Sequence, residues 1–175
     1  MKQGQTEVRS FRLGAELLRA LEEEAAKLRM SVNALVSRLV TTFVEYERYA
    51  RGFGLVRLPA PVLRYLLEQA PDEAVIRAAK LAGQEVPEAL IRAKLGPMSP
   101  QAALAHLREL GPFSGLYEYS EGARGQSRTI ALTHGLGLKG SLFIAHYAQA
   151  LLEGAGLQAI FSIGEHAVLL ELREQ

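Results

Sequence analysis

Cysteine is absent from the 175 residues, which excludes a disulfide framework, a thiolate metal site and a thiol nucleophile. No apolar run approaches the roughly 18 to 20 residues of a membrane span, so no transmembrane segment or membrane partner is expected. The opening Met1-Lys2-Gln3-Gly4-Gln5 leads into a polar stretch and not into the apolar region of a secretory leader, and a cytoplasmic protein is the expectation. A surplus of one charge is missing too: 20 Lys and Arg against 19 Asp and Glu leave a net charge of +1. Such a balance excludes non-specific coating of nucleic acid by bulk charge and makes the position of each cation matter more than the total. Asparagine occurs once, at Asn33.

What is present is ordinary for a folded chain, with 49% hydrophobic and 22% charged residues. Residues 6–13 alternate in the strand period, with Val8, Ser10 and Arg12 on one face and Arg9, Phe11 and Leu13 on the other. Residues 15–29 carry an apolar stripe at helical spacing (Leu17, Leu18, Leu21, Ala25, Leu28) with Glu22, Glu23, Glu24 and Lys27 outside it. Ser31 is a favourable N-cap for a second helix running to about Ala50, with Leu35, Val36, Leu39, Val40 and Phe43 on its apolar face. Glycines flanking Phe53 suggest a boundary, dividing the chain into residues 1–51 and 55–175.

The second part reads as short proline-punctuated helical segments over residues 59–110 and a small α/β part over 112–175. In the latter, residues 116–120 and 128–134 are predicted strands joined by a turn through 122–125. A helix over 138–153 precedes a hairpin of residues 157–163 and 166–172 about Gly164-Glu165, where glycine first suits a type II′ turn. The expected class is α+β, ending in the order ββαββ.

A lone strand with two helices leaves an edge unpaired and buries little surface, so the first part calls for a second copy. The physical solution is an antiparallel two-stranded ribbon, with the second helices interlocked through Val36, Leu39, Val40 and Phe43. The strand ending Phe11-Arg12-Leu13, the length of the first helix and Arg29-Met30-Ser31-Val32-Asn33-Ala34-Leu35-Val36 at the turn together resemble the ribbon-helix-helix superfamily of the Arc and MetJ repressor type. The resemblance covers less than a third of the chain. Gly14 departs from the proline, serine or threonine usual there.

The resemblance implies a homodimeric transcriptional regulator, a repressor by inheritance, that binds double-stranded DNA with the ribbon in the major groove and can assemble as a tetramer on DNA. Val8, Ser10 and Arg12 fall at its base-reading positions, where arginine can form a fork to guanine O6 and N7. Phe11 and Leu13 fall in its dimer core with Leu35, Val36, Leu39, Val40 and Phe43. Ser31, Val32 and Asn33 would offer free amides to a phosphate, and Arg9 a second phosphate contact. The region after residue 55 would then sense a small-molecule effector or add oligomer contacts. The alternative is an antitoxin-like interaction protein whose second part binds a partner protein.

Other motifs are weaker. Gly135-Leu136-Gly137-Leu138-Lys139-Gly140 has the form G-x-G-x-x-G, but too little chain follows for a dinucleotide fold, so tight packing is the first reading. An anion or effector held at Gly137, Lys139 and Gly140 is the second. His106, His134, His146 and His166 lack ligand spacing, and no metal or cofactor is expected. Ser141 lacks a nucleophile elbow and an acid to orient a histidine, and no enzyme is expected. Tyr117, Tyr119, Phe143, Tyr147 and Phe161 read as core, with a ligand pocket as the alternative.

Overall fold

The computed structural model describes residues 7–53, 56–124 and 127–172. They form α1 (Ala15–Lys27), α2 (Val32–Thr42), a π-helical turn (Phe43–Glu47), α3 (Arg48–Ala50) and a 3-10 turn (Arg51–Phe53). There follow α4 (Ala60–Gln69), α5 (Asp72–Leu95), α6 (Pro100–Ser114), β1 (Glu118–Arg124), β2 (Ser127–Thr133), α7 (Gly137–Gly154), β3 (Ala159–Ile163) and β4 (Ala167–Leu172). Two compact units part between Val44 and Glu45, inside the helical run and ahead of Gly52.

The expected N-terminal ribbon-helix-helix architecture is corrected. The first described element is a helix, and residues 7–14 form no strand. Alternation prepares a strand, but a ladder needs a second strand to accept and donate its backbone hydrogen bonds. Residues 7–14 have no such partner among the described residues and are exposed throughout. Thr6, the first residue of the expected strand, lies outside the described residues. The described residues are mostly helical, and their β-structure is a single C-terminal sheet.

In the first unit α1 ends in a left-handed turn. The Met30 and Arg29 amides donate to the Ala25 and Ala26 carbonyls, and Arg29 takes φ 53° where glycine is usual. Ser31 then caps α2, its hydroxyl accepting from the Ala34 amide at 3.1 Å.

The second unit has its own core. α5 starts with Asp72 and Glu73 in its first turn and ends with Arg92 and Lys94 in its last, each sign at the favourable dipole end. It runs through Pro87, where a break was expected. Burial of Gly83, Pro87, Leu90 and Ile91 against neighbouring elements outweighs the one lost backbone hydrogen bond. At Gly83 a Cβ would overlap the Tyr147 carbonyl oxygen of α7, so glycine sets the closeness of these two helices. α6 begins at Ser99-Pro100, Ser99 accepting from the Ala102 amide at 3.2 Å, and stops at Gly115 with φ 69°.

The sheet is antiparallel throughout in the order β1-β2-β4-β3, so the crossover through α7 and β3 brings β4 beside β2. The order strand, strand, helix, strand, strand matches the alternation in the sequence, with shifted bounds. β1 continues to Arg124, through most of the expected turn, and residues 125–126 lie outside the description. Gly164 does not take a positive φ, so the expected type II′ turn is replaced by a longer loop closed by the Gly164 amide on the Ala167 carbonyl at 2.8 Å. Ile130, Leu132, Val168 and Leu170 fill the face beneath α7. With Leu107, Ile144 and Leu151 they are essentially inaccessible, each worth about 1.5–3 kcal/mol of apolar burial.

Candidate functional site

The first unit leaves much of its apolar surface open. Ala25 and Leu35 are the buried hydrophobic residues described there, while Phe11 is 79% exposed, Leu39 52%, Val40 55% and Phe43 42%. Of the residues expected to form a dimer core, Phe11, Leu13, Leu39, Val40 and Phe43 are thus exposed in the single chain, Val36 is half-buried and Leu35 buried.

The expected DNA-contacting residues lie on the same unit. Val8, Arg9, Ser10 and Arg12 are exposed along residues 7–14. Arg9 pairs with Glu7 at 2.8 Å, an exposed contact of little energetic weight. Among the described residues no group pairs with Arg12 or with the Asn33 amide. Ser31 and Asn33 are exposed and Val32 is half-buried at the start of α2, the end of the helix with positive electrostatic potential.

In the second unit the glycine-rich motif packs tightly. Gly137 takes φ 71° and lies beside the Arg64 guanidinium, and a Cβ on Gly140 would overlap the Leu136 side chain. Lys139 is engaged: its ammonium reaches the Asp72 carboxylate at 2.7 Å and donates to the Ala70 carbonyl, tying α7 to the start of α5.

The structure brings Ser141 and His134 together, with Oγ and Nε2 2.9 Å apart. His134 Nδ1 accepts the Leu136 amide at 3.2 Å, so in the neutral ring the proton sits on Nε2 and is donated to Ser141. The Ser141 hydroxyl in turn donates to the Gly164 carbonyl. This polarity is opposite to the one that activates a serine, which needs a bare Nε2. It describes a latch between the start of α7 and the β3–β4 loop. Burial, and then His166, lower the His134 pKa.

A second polar pair lies deeper. His106 of α6 is 5% exposed, and its Nε2 lies 2.9 Å from the Tyr147 hydroxyl of α7. Burial, and then Lys94, lower its pKa to about 4, while burial first of all raises that of Tyr147. On β1, Glu121 is held to about 2, chiefly by the hydrogen bond from Arg128, with Tyr119 and Arg108 also donating to it. Among the described residues the buried His146 Nδ1 has no hydrogen-bond partner. Among the described residues no three His, Asp or Glu side chains converge as a metal site would require.

A cavity of about 500 Å³ opens where the end of α6, the start of β1 and the β2–α7 turn meet, lined in part by Glu118, Thr133, His134 and Gly115. Sequence reading missed it because its walls come from connections far apart in the chain. The available signal was the glycines on either side of the β1–β2 hairpin, Gly111 and Gly115 at the end of α6 and Gly135 and Gly137 at the start of α7.

Neither protein-family models nor curated proteins match this chain. The functional reading therefore rests on the two units themselves. Among the described residues no helix is long and apolar enough to cross a membrane.

Proposed function

We propose that the chain is a cytoplasmic, sequence-specific DNA-binding transcriptional regulator that acts as a homodimer through its first unit. Its second unit serves effector sensing or oligomerisation, and its action is repression without an enzymatic step. The observation that carries the reading is the pairing of two features on one small unit. A helical hairpin exposes Leu39, Val40 and Phe43, while Arg12, ahead of α1, and Asn33, at the start of α2, stand exposed without partners among the described residues.

Covering a half-exposed leucine, valine or phenylalanine is worth about 1 kcal/mol. A second copy covers such side chains on both copies, and this gain is set against the several kcal/mol, at least about 4, that association costs. Cationic and amide groups left at the surface suit phosphate and base edges. The likeness of residues 29–36 to the turn of Arc-type repressors adds support. The reading assigns contact to the exposed residues 7–14 and the start of α2, with no strand assumed there. The buried core of the second unit favours a sensing or assembly domain over an antitoxin-like tail that orders only on a partner.

Selection of bound DNA from a random pool by the full chain tests the proposal. Enrichment of two related half-sites, with affinity falling steeply as salt rises, is the expected result. A pool that stays random through successive rounds refutes it.

A further inference from the structure

We infer that the cavity at the α6–β1 and β2–α7 connections binds a small organic cation that carries hydrogen-bond donors. Its volume, about 500 Å³, lies within the range of small-molecule sites, about 300–1,000 Å³. The chemistry of its lining sets the sign of the ligand.

The donors lining it are mostly committed elsewhere. The Gly115 amide donates to the Gly111 carbonyl, the Leu116 amide to the Ser114 hydroxyl, the Leu136 amide to His134, and the His134 amide to the His166 carbonyl. Both His134 ring nitrogens are engaged as well.

What is left is rich in acceptors. Glu118 and Thr133 are exposed cross-strand partners in the lining, and among the described residues neither the carboxylate nor the hydroxyl has a hydrogen-bond partner or ion pair. Pro112, in the last turn of α6 and part of the lining, has a carbonyl that receives no hydrogen bond from the described residues. That end of α6 carries the negative pole of its helix and has no basic residue of its own in the last turn, and Arg57, which lies over Phe113 there, is paired with Glu47. Ala60, Leu136 and Tyr117 supply apolar wall for an alkyl portion. A carboxylate, a hydroxyl and a negative helix end above apolar walls match an amine or guanidinium on a short carbon chain. Arg64, beside Gly137, is already paired with Glu68, so an anion would meet repulsion from Glu118 and few free donors.

Identifying this ligand as an effector rests on the regulatory function proposed above; the binding itself does not. The test uses the full chain and agmatine, with glutarate and pentanediol as anionic and neutral counterparts of similar length, followed by calorimetry. Saturable binding of agmatine alone is expected, weakened about tenfold or more by Glu118→Gln, the usual cost of losing a charge-assisted contact. Thr133→Val should weaken it less, with both variants melting like the parent.

Absence of saturable agmatine binding, equal binding of glutarate, or an unchanged affinity in Glu118→Gln overturns the inference. DNA affinity with and without agmatine separates the two readings. Glu118-dependent agmatine binding by a chain that selects no DNA upholds the cavity assignment and sinks the regulator. Selected DNA whose affinity agmatine leaves unchanged overturns the effector role.

Discussion

Acid should destabilise the second unit through one buried side chain, His106. In the folded chain its pKa is lowered to about 4, against an ordinary value of 6.5, because protonation would place a charge in the core beside Tyr147 and within range of Lys94. The unfolded chain therefore binds a proton that the folded chain refuses between about pH 6.5 and 4. Stability is complete above the ordinary value, falls as the pH drops through this window and levels off below it.

The full difference corresponds to about 3 kcal/mol at about 1.4 kcal/mol for each pH unit, of which about 2 kcal/mol is already lost at about pH 5. All six tyrosines follow Val44, so the tyrosine circular-dichroism signal reports the second unit alone. Urea unfolding of the parent and of His106→Gln at neutral pH and at about pH 5 gives the double difference, which cancels any cost of the substitution itself and the titration of other groups. The parent should lose about 2 kcal/mol more than the variant. Equal losses in the two proteins would refute the assignment of a neutral, buried His106.

Two further outcomes follow from backbone geometry. Gly83→Ala should lower the stability of the second unit by about 2 kcal/mol or more, read as a lower tyrosine-detected melting temperature, because the added Cβ meets the Tyr147 carbonyl and must push α5 and α7 apart. Arg29→Gly should stabilise the α1–α2 turn by about 0.5–1 kcal/mol by relieving a left-handed non-glycine residue, seen as slower hydrogen exchange at the Met30 amide that closes the turn.

The parts of the fold legible in the sequence are those specified locally. Ser31 and Ser99 each cap a helix as their position before an apolar period suggests, since a cap needs only its own next turn. The four C-terminal strands show in the alternation of residues such as Val168, Leu170 and Leu172, because one face of the sheet is buried and the other is not.

What depends on distant contacts was illegible. Residues 7–13 alternate equally well, yet form no strand, because strand formation depends on a neighbour and not on period alone. Pro87 reads as a stop, but Gly83 and the packing of α5 on α7 carry the helix through it. The His106–Tyr147 pair spans 41 positions. Of the candidate DNA-contacting surface, residue identity was visible beforehand, and the absence of partners for Arg12 and Asn33 among the described residues was not.

The most direct test of the account is the affinity of the full chain, and of Arg12→Ala, for its selected DNA and for a scrambled duplex of the same length, measured by fluorescence anisotropy at one fixed salt concentration. The account predicts that the parent separates the two duplexes and that Arg12→Ala narrows the ratio at least about fivefold, as losing one arginine–guanine fork should. A parent that binds both duplexes equally, or a variant with an unchanged ratio, would contradict it.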